Sequence, residues 1–279
     1  YSNRGIALRH LGLLPEAIDS YAQAIIINPQ FADAHYNQGL CLLQLGEFIR
    51  GWQKYEWRWL CENISASKNR RQFNAPLWLG TESLLGKTIY IYSEQGLGDT
   101  LQFCRYISAV KNKSARVILE VPQPLAKLLK SLDGVDELIV KGEKSPPFDF
   151  QIPLLSLPLA CQTILETIPT CYQLIKTDQE KVEYWKLKLG EKKLFRVGLV
   201  WSGSPTHKND SNRSVALSVL LETLPKQCQY VSLQKEYRTE DLATLRRRSE
   251  ILDFSEALAD FSDTAALCET MDIVITVDT

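Results

Sequence analysis

Residues 88–100 read TIYIYSEQGLGDT, and the change of rhythm inside that stretch decides the fold. Thr88–Tyr92 is an unbroken run of β-branched and aromatic residues, the composition of a short buried strand. Two glycines and an acidic residue follow, and TLQFCRYISAVK (100–111) then takes up helical spacing. Downstream the pattern repeats. Arg116–Val121 (RVILEV) reads as a second strand, PLAKLLKSL (124–132) as a helix, and Leu138–Val140 and Phe148–Ile152 as two further short strands. The alternation restarts at RVGLVW (196–201) and continues with strands at Tyr230–Leu233 and Ile273–Val277, with helices at Ser218–Leu224, Thr239–Arg247 and Thr264–Glu269. Strands alternating with helices imply right-handed crossovers and parallel sheets. A proline-bearing stretch, 153–170, and a charged helix around Lys181–Leu189 separate the two series. The chain is therefore read as α/β, with two Rossmann-like halves.

Upstream of residue 63 the pattern is different. Shifting the chain by 34 residues aligns Gly5 with Gly39, Leu8 with Leu42, Gly12 with Gly46 and Tyr21 with Tyr55. That period is the tetratricopeptide repeat's, a pair of antiparallel helices. Gly5 and Gly39 let the partner helix approach closely, and Gly12 and Gly46 end the first helix of each pair in a left-handed turn. The second copy drifts into GWQKYEWRW, predicting a helix whose Trp52, Trp57 and Trp59 dock the repeats onto the next domain. The expected organisation is an all-α repeat segment at 1–62, a linker and first Rossmann-like half at 63–172, and a second half at 173–279. Two repeats make a marginal solenoid, so further repeats are expected before Tyr1.

The chain's 32 basic and 33 acidic residues nearly cancel, which excludes the global field of a nucleic-acid or anionic-membrane binder. Seven scattered cysteines without a CxxC pair, and three histidines, offer no metal-site pattern and read as reduced thiols of a cytoplasmic protein. No apolar run approaches the roughly 20 residues of a membrane span.

In an open parallel sheet, ligands gather at the carboxyl ends of the strands. Three loops qualify. In the first, Glu94, Gly96 and Gly98 precede a helix, with Asp99 at its start. Gly96-x-Gly98 with Glu120 about twenty residues on imitates a dinucleotide fingerprint. Leu101 at the third glycine position, and the charge of Asp99 where a pyrophosphate would sit, argue against that oxidoreductase reading. Asp99 suits an N-cap or a general base. In the second loop, SGSPTHKNDSNRS (202–214), Ser202 and Gly203 offer backbone N–H groups and Lys208 and Arg213 offer cations, a set that could hold a diphosphate without metal. Gln234 and Lys235, at the end of YVSLQK, could read a base or ribose. The third is Asp278-Thr279, at the end of IVITV, where the first turn of a following helix is expected beyond the last residue.

From about Trp78 onward the chain resembles bacterial repeat-fused glycosyltransferase-like proteins related to the heptosyltransferases of glycosyltransferase family 9. The matching stretches are SEQGLGDTLQFCRY, PPFDFQIPLLSLPLA, RVGLVWSGSPTHKNDSNRS, VSLQKE and DFSDTAALCETMDIVITVDT. The plan is also similar to that of protein O-GlcNAc transferases. The resemblance implies a GT-B-like pair of Rossmann-like domains behind the repeats and an inverting, metal-independent transfer from a nucleotide-diphosphate sugar, with no cofactor. It implies Asp99 as general base near an acceptor site at Glu94, Gly96 and Gly98, and Ser202, Gly203, Lys208, Arg213, Gln234, Lys235, Asp278 and Thr279 as donor-binding residues. The repeats would present a groove to a protein or glycan acceptor. The competing expectation is a repeat scaffold with a degenerate transferase fold that binds partners and transfers nothing.

Overall fold

The computed structural model describes residues 1–170, 174–204, 210–248 and 251–278, apart from the side chains of Ser65 and Ala66. It divides into two compact units, Tyr1–Gln123 with Asp133–Leu174, and Pro124–Leu132 with Ile175–Thr279.

The first unit opens with two helical hairpins, α1 (Ser2–His10) with α2 (Leu14–Ile27) and α3 (Ala32–Gln44) with α4 (Phe48–Tyr55). The turns inside them are closed at equivalent places by Gly12 and Gly46, both with positive φ (76° and 82°). Ala17, Tyr21, Ala24, Ala34 and Cys41 form the buried seam between hairpins. Gly39 lies where α3 crosses α4: a Cβ there would stand 2.9 Å from the Lys54 Cβ and 3.0 Å from the Tyr55 backbone nitrogen. Helix propensity alone favours Gly→Ala by about 1 kcal/mol, but the Tyr55 backbone cannot yield locally. Gly39→Ala is therefore expected to destabilise by about 1–3 kcal/mol, measured by urea denaturation followed by circular dichroism. An unchanged or raised midpoint would show that the two helices can part without cost.

The run GWQKYEWRW is not one helix, contrary to the sequence expectation. The α-helix stops at Tyr55 and tightens into a 3₁₀ turn, Glu56–Leu60. The tighter pitch places the three tryptophans in different surroundings. Trp57 stacks on His35 at 3.7 Å with an interplanar angle of 5°, Trp52 meets Phe103 edge-on at 5.8 Å, and Trp59 lies against Arg58.

The linker is ordered where it reaches the first sheet. Pro76 accepts from the Gln151 N–H at 3.0 Å and Trp78 donates back to the Gln151 carbonyl at 2.9 Å, so Leu77 forms a parallel bridge at the sheet edge. Strands β1 (Thr88–Tyr92), β2 (Arg116–Val121), β3 (Glu137–Val140) and β4 (Phe150–Pro153) pair in parallel in the order β3-β2-β1-β4. Alternation splits the TIYIY run: Tyr90 and Tyr92 face an aromatic cluster with Phe73 and Phe148, while Ile89 and Ile91 are buried on the other face.

In the second unit β5 (Phe195–Val200), β6 (Cys228–Ser232), β7 (Ile251–Asp253) and β8 (Ile273–Thr276) repeat the arrangement as β7-β6-β5-β8. The apolar run of β5 has its reason in burial on both faces. Val197 and Leu199 pack with Trp201, Leu217 and Tyr230 on one side, while Val200 packs against Val182, Trp185, Val231, Leu233 and Leu267 on the other. β8 is exposed along its length. β7 escaped the sequence reading because three residues, Ile251–Asp253, are too short to show a period. Two Rossmann-like α/β units behind helical repeats are thus present, each with its strand order reversing beside a central strand.

Candidate functional site

The carboxyl ends of each sheet's strands flank a switch point, between β1 and β4 in the first unit and between β5 and β8 in the second. Crevices for ligands open at such points in parallel sheets. The two differ in what fills them.

In the first unit, β1 runs out through Ser93-Glu94-Gln95 to Gly96, which is the N-cap of the helix Leu97–Phe103. Asp99 is therefore not the N-cap but the third residue of the helix, and its Oδ2 accepts from the Gly96 N–H at 2.9 Å. Glycine has no side chain to complete a capping box, so Asp99 provides the side-chain half alone. Its Oδ1 has no hydrogen bond among the described residues, and the residue is partly exposed. Gly96 and Gly98 are exposed beside it.

Glu94 is placed differently from a residue meeting an acceptor. Its side chain is buried, with Oε1 accepting from Arg58 Nη2 at 3.2 Å and from the Leu155 N–H at 3.3 Å. Burial pushes its carboxyl up to about 7, and Arg58 only partly offsets this. Glu120 is buried as well. Arg71 grips it with both guanidinium nitrogens (2.7 and 2.6 Å) and the Tyr90 hydroxyl donates to it at 2.7 Å. The acidic residue of the imitated dinucleotide fingerprint is thus engaged inside the scaffold.

In the second unit, β5 passes into Trp201-Ser202-Gly203. Gln234, at the end of β6, clamps that exit: Oε1 accepts from the N–H groups of Trp201 and Ser202 (3.2 and 3.3 Å), and Nε2 donates to the Ser202 carbonyl at 2.7 Å. Lys235 donates to the carbonyls of Ser255, at 2.9 Å, and Leu258. Both side chains brace loops, and Gln234 is buried. Ser202 is buried too, whereas Gly203 is partly exposed and donates to the Ser214 hydroxyl at 3.1 Å. Arg213 and Asp278 come together across the switch point: Arg213 Nε donates to the Asp278 carbonyl at 2.8 Å, and the Asp278 carboxylate is 98% exposed. Lys208 and Thr279 lie outside the described residues.

Three features of these edges had no legible signal. Asp210 accepts from Ser214 and pairs with Arg238, stapling the described end of the 202–214 loop. Trp201 Nε1 donates to Asp241 at 2.9 Å. Arg58, from the repeats, reaches the first sheet. The Asp210–Arg238, Trp201–Asp241 and Arg58–Glu94 pairs join residues at least 28 positions apart, and local spacing does not encode such pairs. Among the described residues no group of three or more His, Cys, Asp or Glu side chains is placed to hold a metal ion, and no helix is long and apolar enough to cross a membrane.

Residues 5–46 match the family model described as TPR repeat, so the helical hairpins are tetratricopeptide repeats. The chain is 24% identical to Protein FlbA of Caulobacter vibrioides over 308 aligned positions, covering 99% of this chain and 50% of that protein. It thus spans about half the length of the curated relative it matches. Among solved structures it is similar to the glycosyl transferase family 9 protein of Veillonella parvula, at 13% identity and a TM-score of 0.46, covering 70% of this chain and 77% of the other.

Proposed function

We propose that the chain is the repeat and transferase part of a bacterial, cytoplasmic glycosyltransferase that moves a sugar from a nucleotide-diphosphate sugar to an acceptor hydroxyl, with inversion and without metal or cofactor. The observation that carries this reading is the contrast between the two switch points. The first is closed by an ion-paired arginine and has a partly exposed carboxylate, Asp99, at its rim. The second presents a half-buried arginine, Arg213, and a partly exposed loop at 203–204.

Asp99 is the proposed general base. It takes the proton of the acceptor hydroxyl as that oxygen bonds to the anomeric carbon; the bond from that carbon to the diphosphate breaks, and the nucleoside diphosphate leaves with the electron pair. Arg213, with Lys208, would bear the charge gathering on the leaving diphosphate. The repeats would hold a protein or glycan acceptor in their groove.

The test is donor-product binding. Nucleoside diphosphates with each common base, added in turn, should include one that raises the melting temperature; at 100 times its Kd the stabilisation is about 2.7 kcal/mol. Arg213→Ala should abolish most of that shift and leave the unliganded melting temperature nearly unchanged, because among the described residues the Arg213 side chain bonds to Asp278 alone, whose carboxylate is exposed. A protein indifferent to every nucleotide would instead be the non-catalytic repeat scaffold.

A further inference from the structure

We infer that Arg58 is a positioning residue through which the repeats close the strand-end crevice of the first sheet and fix the turn that carries Asp99. The part concerning Asp99 rests on the proposed transferase reading; the closing of the crevice does not.

The residues on either side of the first switch point are Glu94, after β1, and Leu155-Ser156, after β4. One guanidinium joins them. Arg58 Nη2 donates to Glu94 at 3.2 Å and to the Ser156 hydroxyl at 2.7 Å, while Nη1 donates to Glu56 at 2.5 Å. Ser156 in turn donates to Glu56 at 2.8 Å, which closes a ring of three side chains, with Glu94 joined to it through Arg58. The guanidinium lies over the Tyr55 and Trp59 rings, 4.7 and 4.5 Å from their centroids, and is fully buried. A phosphate at this crevice would have to displace a cation that two carboxylates already hold.

The turn is held from the repeat side at further points. Tyr55 Oη accepts from Gln95 at 2.8 Å, Asn69 of the linker donates to the Glu94 carbonyl at 3.0 Å, and Trp52 packs on Phe103 at the end of the helix that carries Asp99. Stability alone does not account for this arrangement. A buried ion pair is commonly no better than apolar residues of the same volume, and this one leaves Arg58 Nε and Glu94 Oε2 buried without partners. A planar, five-donor cation is, however, suited to tying two separate backbone exits to one orientation.

Three variants test the inference: Arg58→Met, Arg58→Lys, and the double variant Arg58→Met/Glu94→Leu, each read by hydrogen exchange of the 93–100 amides, by kcat and by nucleoside-diphosphate affinity. Arg58→Met should speed exchange at 93–100 and lower kcat by about 100-fold, the usual effect of misplacing a reacting group by about 1 Å, with nucleotide affinity unchanged. Arg58→Lys reaches one exit at a time and should fall between. The double variant should recover the melting temperature but keep the fast exchange and the low kcat. Recovery of all three together would reduce Arg58 to a fold-stabilising role and overturn the inference, as would wild-type exchange at 93–100 in Arg58→Met. Should the wild-type protein transfer no sugar, the transferase reading fails, while the exchange data still decide the role of Arg58.

Discussion

Asp99→Asn should lower sugar transfer by about 10²–10⁴-fold, the range for removal of a positioned general base, and should barely move the melting temperature. The asparagine is chosen because Asp99 does two things that alanine would remove together. Its carboxylate caps the helix Leu97–Phe103 by accepting from the Gly96 N–H at 2.9 Å, and a side-chain amide oxygen accepts the same bond. What asparagine cannot do is take a proton. The surroundings support a charged carboxylate there: it sits in the first turn of the helix, where the helix dipole favours an anion. The nearby Tyr36 and Tyr55 phenols are pushed by burial further above an ordinary value that already keeps them protonated at neutral pH, so neither tyrosine substitutes as base. The measurement is release of nucleoside diphosphate under saturating donor and acceptor. Turnover within a few-fold of wild type, with donor affinity intact, would leave Asp99 as a helix cap and nothing more.

The fold was legible because its signals are local. TIYIY and RVGLVW are strands whichever tertiary contacts they make, and the 34-residue offset between Gly5 and Gly39 needs only two copies to be seen. The strand-end rule then directed attention to the carboxyl edges of both sheets. Within those edges, type and position in sequence could not separate residues that face solvent from residues that brace the loop. Gln234 and Arg213 both looked suited to a nucleotide, yet Gln234 holds the Trp201-Ser202 backbone, while Arg213 reaches across to Asp278. Glu94 looked like the companion of Asp99, and five positions of separation leave one buried and the other at the rim. The deciding partner, Arg58, lies 36 residues upstream in a run that reads as aromatic packing. The 3₁₀ tightening after Tyr55 turns that side chain inward, and helical spacing alone does not foresee it.

Trp201→Ala should cost about 3–5 kcal/mol through lost packing, and about 1–3 kcal/mol more because a buried acceptor is orphaned. That sum is comparable to the whole stability of many domains. Trp201 is the first residue past β5, fully buried, with Val197, Leu199, Leu217 and Tyr230 in its cluster and the Tyr237 ring stacked 5.7 Å away. Its Nε1–H donates to Asp241 Oδ2 at 2.9 Å, and the other Asp241 oxygen accepts from the Leu217 N–H at 3.0 Å, at the start of the helix Leu217–Thr223. One side chain thus joins the exit of β5, the start of one helix and a buried carboxylate on another. The same residue roots the candidate donor loop, since its carbonyl accepts from Val215 at 2.9 Å and its N–H is held by Gln234. Trp201→Phe keeps an aromatic ring against Tyr237 but gives up the indole donor and part of the buried ring volume, so it should fall between wild type and the alanine variant. Circular-dichroism melts in urea give the ordering. If the phenylalanine variant falls as far as the alanine variant, the loop base depends on the Asp241 bond and not on packing. If neither falls, the second unit does not rest on Trp201, and with it goes the reason for expecting a preformed phosphate site at that strand end.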